Sequence, residues 1–239
     1  MSISRKKGPL YLQIKKIMKD RILHGVYPIG ATVPSEPQLE QEFNVSKMTV
    51  RNAIKELAQE GYVEKRSGIG TKVIRNTSLS KLSKGKRFTE VLVEEGHKIE
   101  KVQIKSSLIH NEEGTEIFTL FGQRCLRIER LYLLNGEPYI HYTHYVNEII
   151  MTEEPEELAY QTLSLYDLIE EQHIELSSFR DRFTVANATE ELEKLLKVSK
   201  GASLLKRLRY SYDADGRVME YSVGHYNTEM HHYLVNYDS

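Results

Sequence analysis

Residues 45–57, Val-Ser-Lys-Met-Thr-Val-Arg-Asn-Ala-Ile-Lys-Glu-Leu, carry two patterns at once. Val50, Ala53, Ile54 and Leu57 recur at i, i+3, i+4 and i+7, which is one apolar stripe of an α-helix. Lys47, Thr49, Arg51, Asn52 and Lys55 then face away from that stripe. Ser46 stands where an N-cap belongs, and Val45 and Val50 take the N′ and N4 places of a hydrophobic staple. A short helix with cations, an amide and a hydroxyl on its outer face is either merely solvated or built to touch an anion. Its neighbours separate the two.

Upstream, Leu10, Ile14, Ile17, Met18 and Ile22 predict an amphipathic helix to about residue 24, stopped by Gly25. After a turn-rich stretch at 27–30, Ser35 and Gln38 match a capping box and open a second helix that buries Leu39 and Phe43. Two helices joined by about four residues, the second with a polar outer face, make a helix-turn-helix. Downstream, 62–66 and 71–74 read as short strands around a glycine-rich tip at 67–70. Together these elements predict a winged helix. In that fold the outer face of the Ser46 helix enters the DNA major groove. Lys47 can donate to guanine there, and Asn52 and Thr49 can reach base edges. Arg51 and the wing cations Lys65, Arg66 and Lys72 meet phosphates, while Gly68 and Gly70, with Thr71 beside them, let the backbone approach closely.

Charge supports this reading. The net charge of −1 conceals a split: residues 1–76 hold 14 Lys+Arg against 7 Asp+Glu, and the remaining 163 hold 19 against 27. A basic module for an anionic partner joined to an acidic module with another task fits that asymmetry. A length of 239 residues suits two modest domains, and 40% hydrophobic with 28% charged residues is ordinary for a soluble protein. No apolar run approaches the roughly 20 residues that span a bilayer. The charge cluster at the N-terminus has no apolar stretch behind it, so no signal peptide is expected. Cys125, the one cysteine, forms no internal disulfide and fits a reducing cytoplasm; it reads as a small apolar group in a strand.

The Ser/Lys-rich stretch 77–86 has no apolar periodicity and reads as a linker. Beyond it, strands are predicted at 99–109, 125–133, 138–146, 174–185, 203–213 and 217–227, and helices at 89–95, 164–172 and 189–198. Asn135-Gly136 and Asp215-Gly216 are hairpin turns. Strands joined by such turns imply an antiparallel sheet with flanking helices, so the second domain, 87–239, is α+β.

At this point the chain resembles the GntR family of bacterial repressors, in its HutC-type branch. "PLYLQI" and "PSEPQLEQEFNVSKMTVRNAIKELAQEGYVEKRSGIGTKV" are similar to that family's N-terminal domain. "RFTEVL", "RIERLYLLNGEP", "SLYDLIE" and "DGRVMEYSVGHY" resemble its UTRA effector domain, which is chorismate-lyase-like in fold. The resemblance implies a homodimer that binds a palindromic operator and is released or tightened by a small metabolite. It also implies DNA contacts from Ser35, Ser46, Lys47, Thr49, Arg51, Gly68 and Gly70. Pro37 and Lys47 stand where the family usually has Arg, and Lys is a point donor without the bidentate fork, so the operator differs.

The family's pocket positions fall on Arg87, Phe88, Thr89, Arg130, Tyr132, Tyr142, Ser164, Tyr166, Glu220 and Tyr226. Thr89 and Ser164 each begin a predicted helix, whose free N–H groups favour an anion; the alternative is that they are plain N-caps. Arg130 can clamp a phosphate or carboxylate, and Glu220 can accept sugar hydroxyls. For Tyr166 the alternative is a place in the core. Tyr132 replaces a second Arg and Tyr142 a Glu, and the usual Arg-rich end of the last strand reads Asn-Thr-Glu-Met at 227–230. The resemblance implies a small anionic or sugar-like effector, such as a phosphorylated sugar or an amino-sugar-like molecule. These departures point to one less charged, or larger and more aromatic-friendly, than the best-known phosphosugar-binding members take.

Two other classes compete. An enzyme of chorismate-lyase-like fold would need catalytic residues, and no Ser/His/Asp order, Cys/His pair or spaced carboxylates is found. A metal sensor would use some of the 9 His. His141 and His144 lie three apart in a predicted strand and face opposite sides, and the adjacent His231 and His232 meet the same difficulty. No catalytic site, metal or cofactor is expected, and the partners are duplex DNA, a small effector and a second copy of the chain.

Overall fold

In the computed structural model, described over residues 3, 8–66, 68–76, 91–93, 95–150 and 165–233, the chain forms two compact units, Met1–Ile99 and Glu100–Val235. The expected linker at 77–86, the candidate residues Arg87, Phe88, Thr89 and Ser164, and the wing residue Ser67 lie outside the described residues. Residues 91–93 are helical, within the helix expected at 89–95.

The first unit begins with α1 (Leu10–Leu23), α2 (Glu36–Phe43) and α3 (Lys47–Gln59). Each is set by the signal that predicts it. Gln38 Oε1 accepts from the Ser35 backbone N–H at 2.8 Å, the returning half of a capping box, and Asn44 closes α2 in the left-handed region at φ 51°. The Ser46 hydroxyl accepts from the Thr49 N–H at the start of α3. Val50, Ala53, Ile54 and Leu57 are all buried, against Ile14, Met18 and Ile22 of α1 and Leu39 and Phe43 of α2.

The wing is an antiparallel pair, β1 (Val63–Arg66) and β2 (Gly70–Val73), in the register Val63↔Val73 and Arg66↔Gly70. One pairing is unforeseen. Residues 30–33, which follow on the turn expected at 27–30 and fall in no predicted strand, bridge to β2 through Thr32↔Lys72, with Gly30 donating to the Val73 carbonyl and Val33 to that of Thr71, each at 2.9 Å. This third segment explains Gly70. At φ +110°, a side chain there would be strained, and its Cβ would lie 2.9 Å from Thr32 Cγ2.

The second unit carries a six-stranded sheet in the order β3-β4-β5-β8-β7-β6. The strands are β3 (Ile99–His110), β4 (Arg124–Leu134), β5 (Glu137–Val146), β6 (Leu176–Asn187), β7 (Ser203–Asp213) and β8 (Val218–Tyr226). From β4 to β6 every neighbouring pair is antiparallel. Asn135 and Gly136 both have positive φ, 53° and 90°, as the two-residue β4–β5 turn requires. The helices α5 (Leu165–Glu171) and α6 (Glu190–Leu196) fall where predicted. The helix α4 (Glu116–Phe121) does not: it has six residues, none buried, too few for an apolar stripe to show, and only its Thr115 cap on the Phe118 N–H marks it.

Cross-strand partners share a face, so the register sorts the side chains. One face carries Arg130 and Tyr132 of β4, Tyr142 and His144 of β5, Glu220 and Tyr226 of β8, Arg207, Arg209 and Ser211 of β7, and Asp181 of β6. The other face carries Glu129, His141, Tyr210 and Tyr221. There α4 docks through Glu116, which accepts from the Tyr210 hydroxyl at 2.6 Å.

Candidate functional site

Two surfaces gather the predicted residues. On the first unit, Ser35, Ser46, Lys47, Arg51, Asn52, Arg66, Gly68 and Gly70 are exposed, and Thr49 is half-buried with its hydroxyl 2.9 Å from that of Ser46. Thr71 is the exception. It is buried beneath the wing, where its carbonyl serves the bridge to Val33, so its side chain is withheld from the surface.

Three cations of this surface, Arg51, Lys65 and Arg66, are held by carboxylates that sequence reasoning passed over. Glu36, the first residue of α2, accepts from Arg51 Nε at 2.8 Å and from Lys65 Nζ at 2.9 Å, joining α3 to the wing. Those hydrogen bonds from Lys65 and Arg51 hold its carboxyl below the usual range. Arg66 Nε donates to Glu64 at 2.9 Å. Only tertiary proximity reveals Glu36, because 15 and 29 residues separate it from its partners. Beside this array an open cleft of about 480 Å³ lies between residues 8–11, at the start of α1, and Ser46, Thr49 and Asn52, at the start of α3. Two helix N-termini on one cleft, with hydroxyls and an amide between them, suit a phosphate oxygen.

On the second unit, every predicted effector residue that is described lies on or over one face of the sheet. Arg130 is 3% exposed, makes no ion pair among the described residues, and has an Nη2 with no hydrogen-bond partner. Around it stands an aromatic box. The Tyr132 and Tyr142 rings meet edge-on at 5.5 Å, Tyr142 stacks on His144 at 5.1 Å, and the Tyr142 and Tyr226 hydroxyls touch. Tyr166 of α5 meets Phe179 edge-on at 5.7 Å and accepts from Arg209 at 3.4 Å. Glu220 is fully buried and both its oxygens are engaged, one with His144 Nδ1 at 3.1 Å and the other by the Ser211 hydroxyl. It therefore serves first to orient His144 and Ser211.

Sequence reading took 203–213 only as a strand and so missed Arg207. That guanidinium, 6% exposed, donates to Asp181 at 3.0 Å and to the Tyr226 hydroxyl at 3.3 Å. Asp181 also takes a two-pronged contact from Arg209 at 2.7 and 2.8 Å. Arg207, Arg209 and Ser211 alternate along β7, and that period of two was the available signal.

Gly224 keeps the box together. It lies opposite Tyr142 in the β5–β8 register, and a Cβ there would stand 2.5 Å from Tyr142 Cε1. Tyr142 is wedged among Tyr132, His144 and Tyr226 and cannot yield. Gly224→Ala is expected to displace the ring, cost about 1–3 kcal/mol by overpacking, and weaken binding of any ligand that uses the box. Thermal melts with and without ligand check this. A variant with unchanged melting temperature and ligand response would show that the ring moves freely.

The histidines point in different directions. His144 faces the box and His141 the opposite side near Glu129, as an i, i+3 strand spacing demands. Burial pushes both rings below the usual histidine range, and pushes His225 down to about 4. Burial pushes the Cys125 thiol up to about 11, which makes it a poor nucleophile. No helix among the described residues is long and apolar enough to cross a membrane.

A winged helix with a cationic outer face, in a chain whose second unit is a sheet domain with a buried guanidinium among tyrosines, marks a DNA-binding regulator of transcription. Residues 10–73 match the model of the bacterial regulatory proteins of the gntR family, and residues 94–232 match the UTRA domain. The chain belongs to the GntR family, with the HutC-like architecture of its UTRA-bearing members. It is 29% identical to the HTH-type transcriptional repressor NagR of Bacillus subtilis (strain 168), over 95% of each chain. It is 25% identical to the HTH-type transcriptional regulator GgaR of Escherichia coli (strain K12), over 93% of this chain and 89% of that one. In fold it is similar to PhnF from Mycobacterium smegmatis, with a TM-score of 0.55 and 23% identity over 94% of this chain and 99% of the other.

Proposed function

We propose that this protein is a metabolite-responsive repressor of a catabolic operon, acting in the cytoplasm as a homodimer on a palindromic operator. DNA binding is assigned to residues 1–76, linkage to 77–86, and effector binding with dimerisation to 87–239. Operator contacts come from Ser35, Ser46, Lys47, Thr49, Arg51, Asn52, Arg66, Gly68 and Gly70. The effector is anionic or sugar-like and meets Arg130, Tyr132, Tyr142, Tyr166 and Tyr226, with Arg87, Phe88, Thr89 and Ser164 completing the site. The observation that carries this reading is Arg130: a buried charge without a counter-ion is costly, and an anionic ligand removes that cost. The similarity to a repressor supports the direction of regulation.

A ligand shifts operator affinity only by its differential affinity for two arrangements of the protein, typically about 1–3 kcal/mol of coupling. The test begins with a thermal-shift screen of phosphorylated sugars and related metabolites, because a ligand of the native state raises the melting temperature. Arg130→Ala is expected to abolish the effect of any positive compound on operator affinity. Arg51→Ala is expected to weaken DNA binding yet keep the response. An Arg130→Ala protein that still responds fully would show the effector to be elsewhere. Light scattering should give a dimer at concentrations that saturate the operator.

A further inference from the structure

His144 has a feature that packing does not explain. The residue is 7% exposed, its Nδ1 lies 3.1 Å from Glu220 Oε1, and its Nε2 is buried with no hydrogen-bond partner. A carboxylate oxygen accepts, so the ring places its N–H at Nδ1 and leaves a lone pair at Nε2. The second Glu220 oxygen is occupied by the Ser211 hydroxyl, which fixes the carboxylate and hence the tautomer. The imidazole is also clamped face to face on Tyr142, at 5.1 Å and 20° between planes. Glu220 and Tyr142 therefore present an oriented acceptor in a dry place.

The acceptor stands next to the unpaired cation. Arg130 pairs with Tyr142 and Ile128 with His144 in the β4–β5 register, so Arg130 and His144 are diagonal neighbours on one face, with Cα atoms about 7–8 Å apart. Burial pushes the His144 ring below the usual histidine range against the pull of Glu220, and the Arg130 charge works in the same direction as burial. A neutral acceptor and a guanidinium side by side, both nine-tenths buried or more, complement a small anion that carries a hydrogen-bond donor close to its charged group.

We infer that His144 is a specificity-determining residue of the effector site: its Nε2 accepts a hydrogen bond from a hydroxyl of a hydroxylated anion whose charged group is held by Arg130. This rests on the reading of that sheet face as the effector site. A plain anion would leave Nε2 buried and unmet, as it is without ligand, so it forgoes the hydrogen bond that its hydroxylated counterpart gains.

The full chain is titrated calorimetrically with matched probes at constant ionic strength: glycolate against acetate, and glycerol 3-phosphate against methyl phosphate. The wild type is expected to favour the hydroxylated member of each pair by about three- to tenfold, the yield of one neutral hydrogen bond. His144→Phe keeps the stacked ring without the acceptor and should bring the ratio to about one while plain anions still bind. No preference in the wild type, including no binding of any probe, overturns the inference, as does a preference that survives in His144→Phe. Nitrogen-15 spectra need no variant to fold: His144 should carry its proton at Nδ1, and a proton at Nε2 overturns the inference. Glu220→Gln can donate to Nδ1 and should move the proton to Nε2. If the inference alone fails, plain anions still bind the wild type and lose affinity in Arg130→Gln; if the underlying effector-site reading fails, Arg130→Gln behaves as the wild type does with every probe.

Discussion

Operator affinity should fall about a thousandfold when salt rises from 50 to 200 mM. The α3 and wing cations read as DNA contacts are Lys47, Arg51, Lys65, Arg66 and Lys72, but Glu36 holds Arg51 and Lys65, and Glu64 holds Arg66. Five cations less two carboxylates leave about three net charges per protomer and about six per dimer, a slope near −5 for log affinity against log salt. The carboxylates also make a sharper statement. Glu36→Gln releases one charge per protomer and should steepen the slope by about two, whereas Arg51→Ala should flatten it by about two. Lys47→Ala should flatten it and also relax base preference, since Lys47 opens the helix assigned to the groove. Titration of a labelled duplex across a salt series checks all three. A flat profile would remove the electrostatic account of the first unit.

Breaking the Asp181–Arg207 pair should cost the second unit about 3–5 kcal/mol. Arg207 is 7% exposed at its side chain and draws on Asp181 and two phenols, while Asp181 is also shared with Arg209. Asp181→Ala leaves the guanidinium buried beside Tyr142 and Tyr226 without a counter-ion, the situation in which loss of one partner is most damaging. For a unit of this size that corresponds to a melting temperature lower by roughly 10–15 °C. Adding Arg207→Met should restore much of the loss, because an apolar side chain of similar volume carries no charge to desolvate. Circular dichroism melts of the single and double variants decide the matter. A loss below about 1 kcal/mol for Asp181→Ala would place the pair with ordinary surface ion pairs.

A third consequence concerns Glu220 and Arg130, which the sequence offered as equal contributors to ligand binding. In the structure they differ. Arg130 is buried with an unmet donor, whereas Glu220 spends both oxygens on His144 and Ser211. The first is poised for a ligand and the second orients the group that meets it. Residue type predicts neither role, because both depend on what stands within 3 Å.

Local rules determined much of this protein from sequence. The stripe Val50-Ala53-Ile54-Leu57, the Ser35–Gln38 box, the Ser46 cap and the Asn135-Gly136 turn each act within a few residues, so the sequence contains both partners of every interaction. That is why the winged helix, the strands of the second unit and its antiparallel α+β character are legible in one dimension. The charge split between the halves is legible too, since counting requires no fold. Tertiary structure alone decided the rest. The bridge of residues 30–33 to β2, and Glu36 between Arg51 and Lys65, join groups far apart in the chain. Above all, the insertion of β8 between β5 and β7 brings Arg207 to Tyr142 across Gly224 and sets Glu220 beside His144, 76 residues away. Strand order is settled by which faces bury the most apolar surface together, and a period of two along one strand says nothing about which strand will lie beside it.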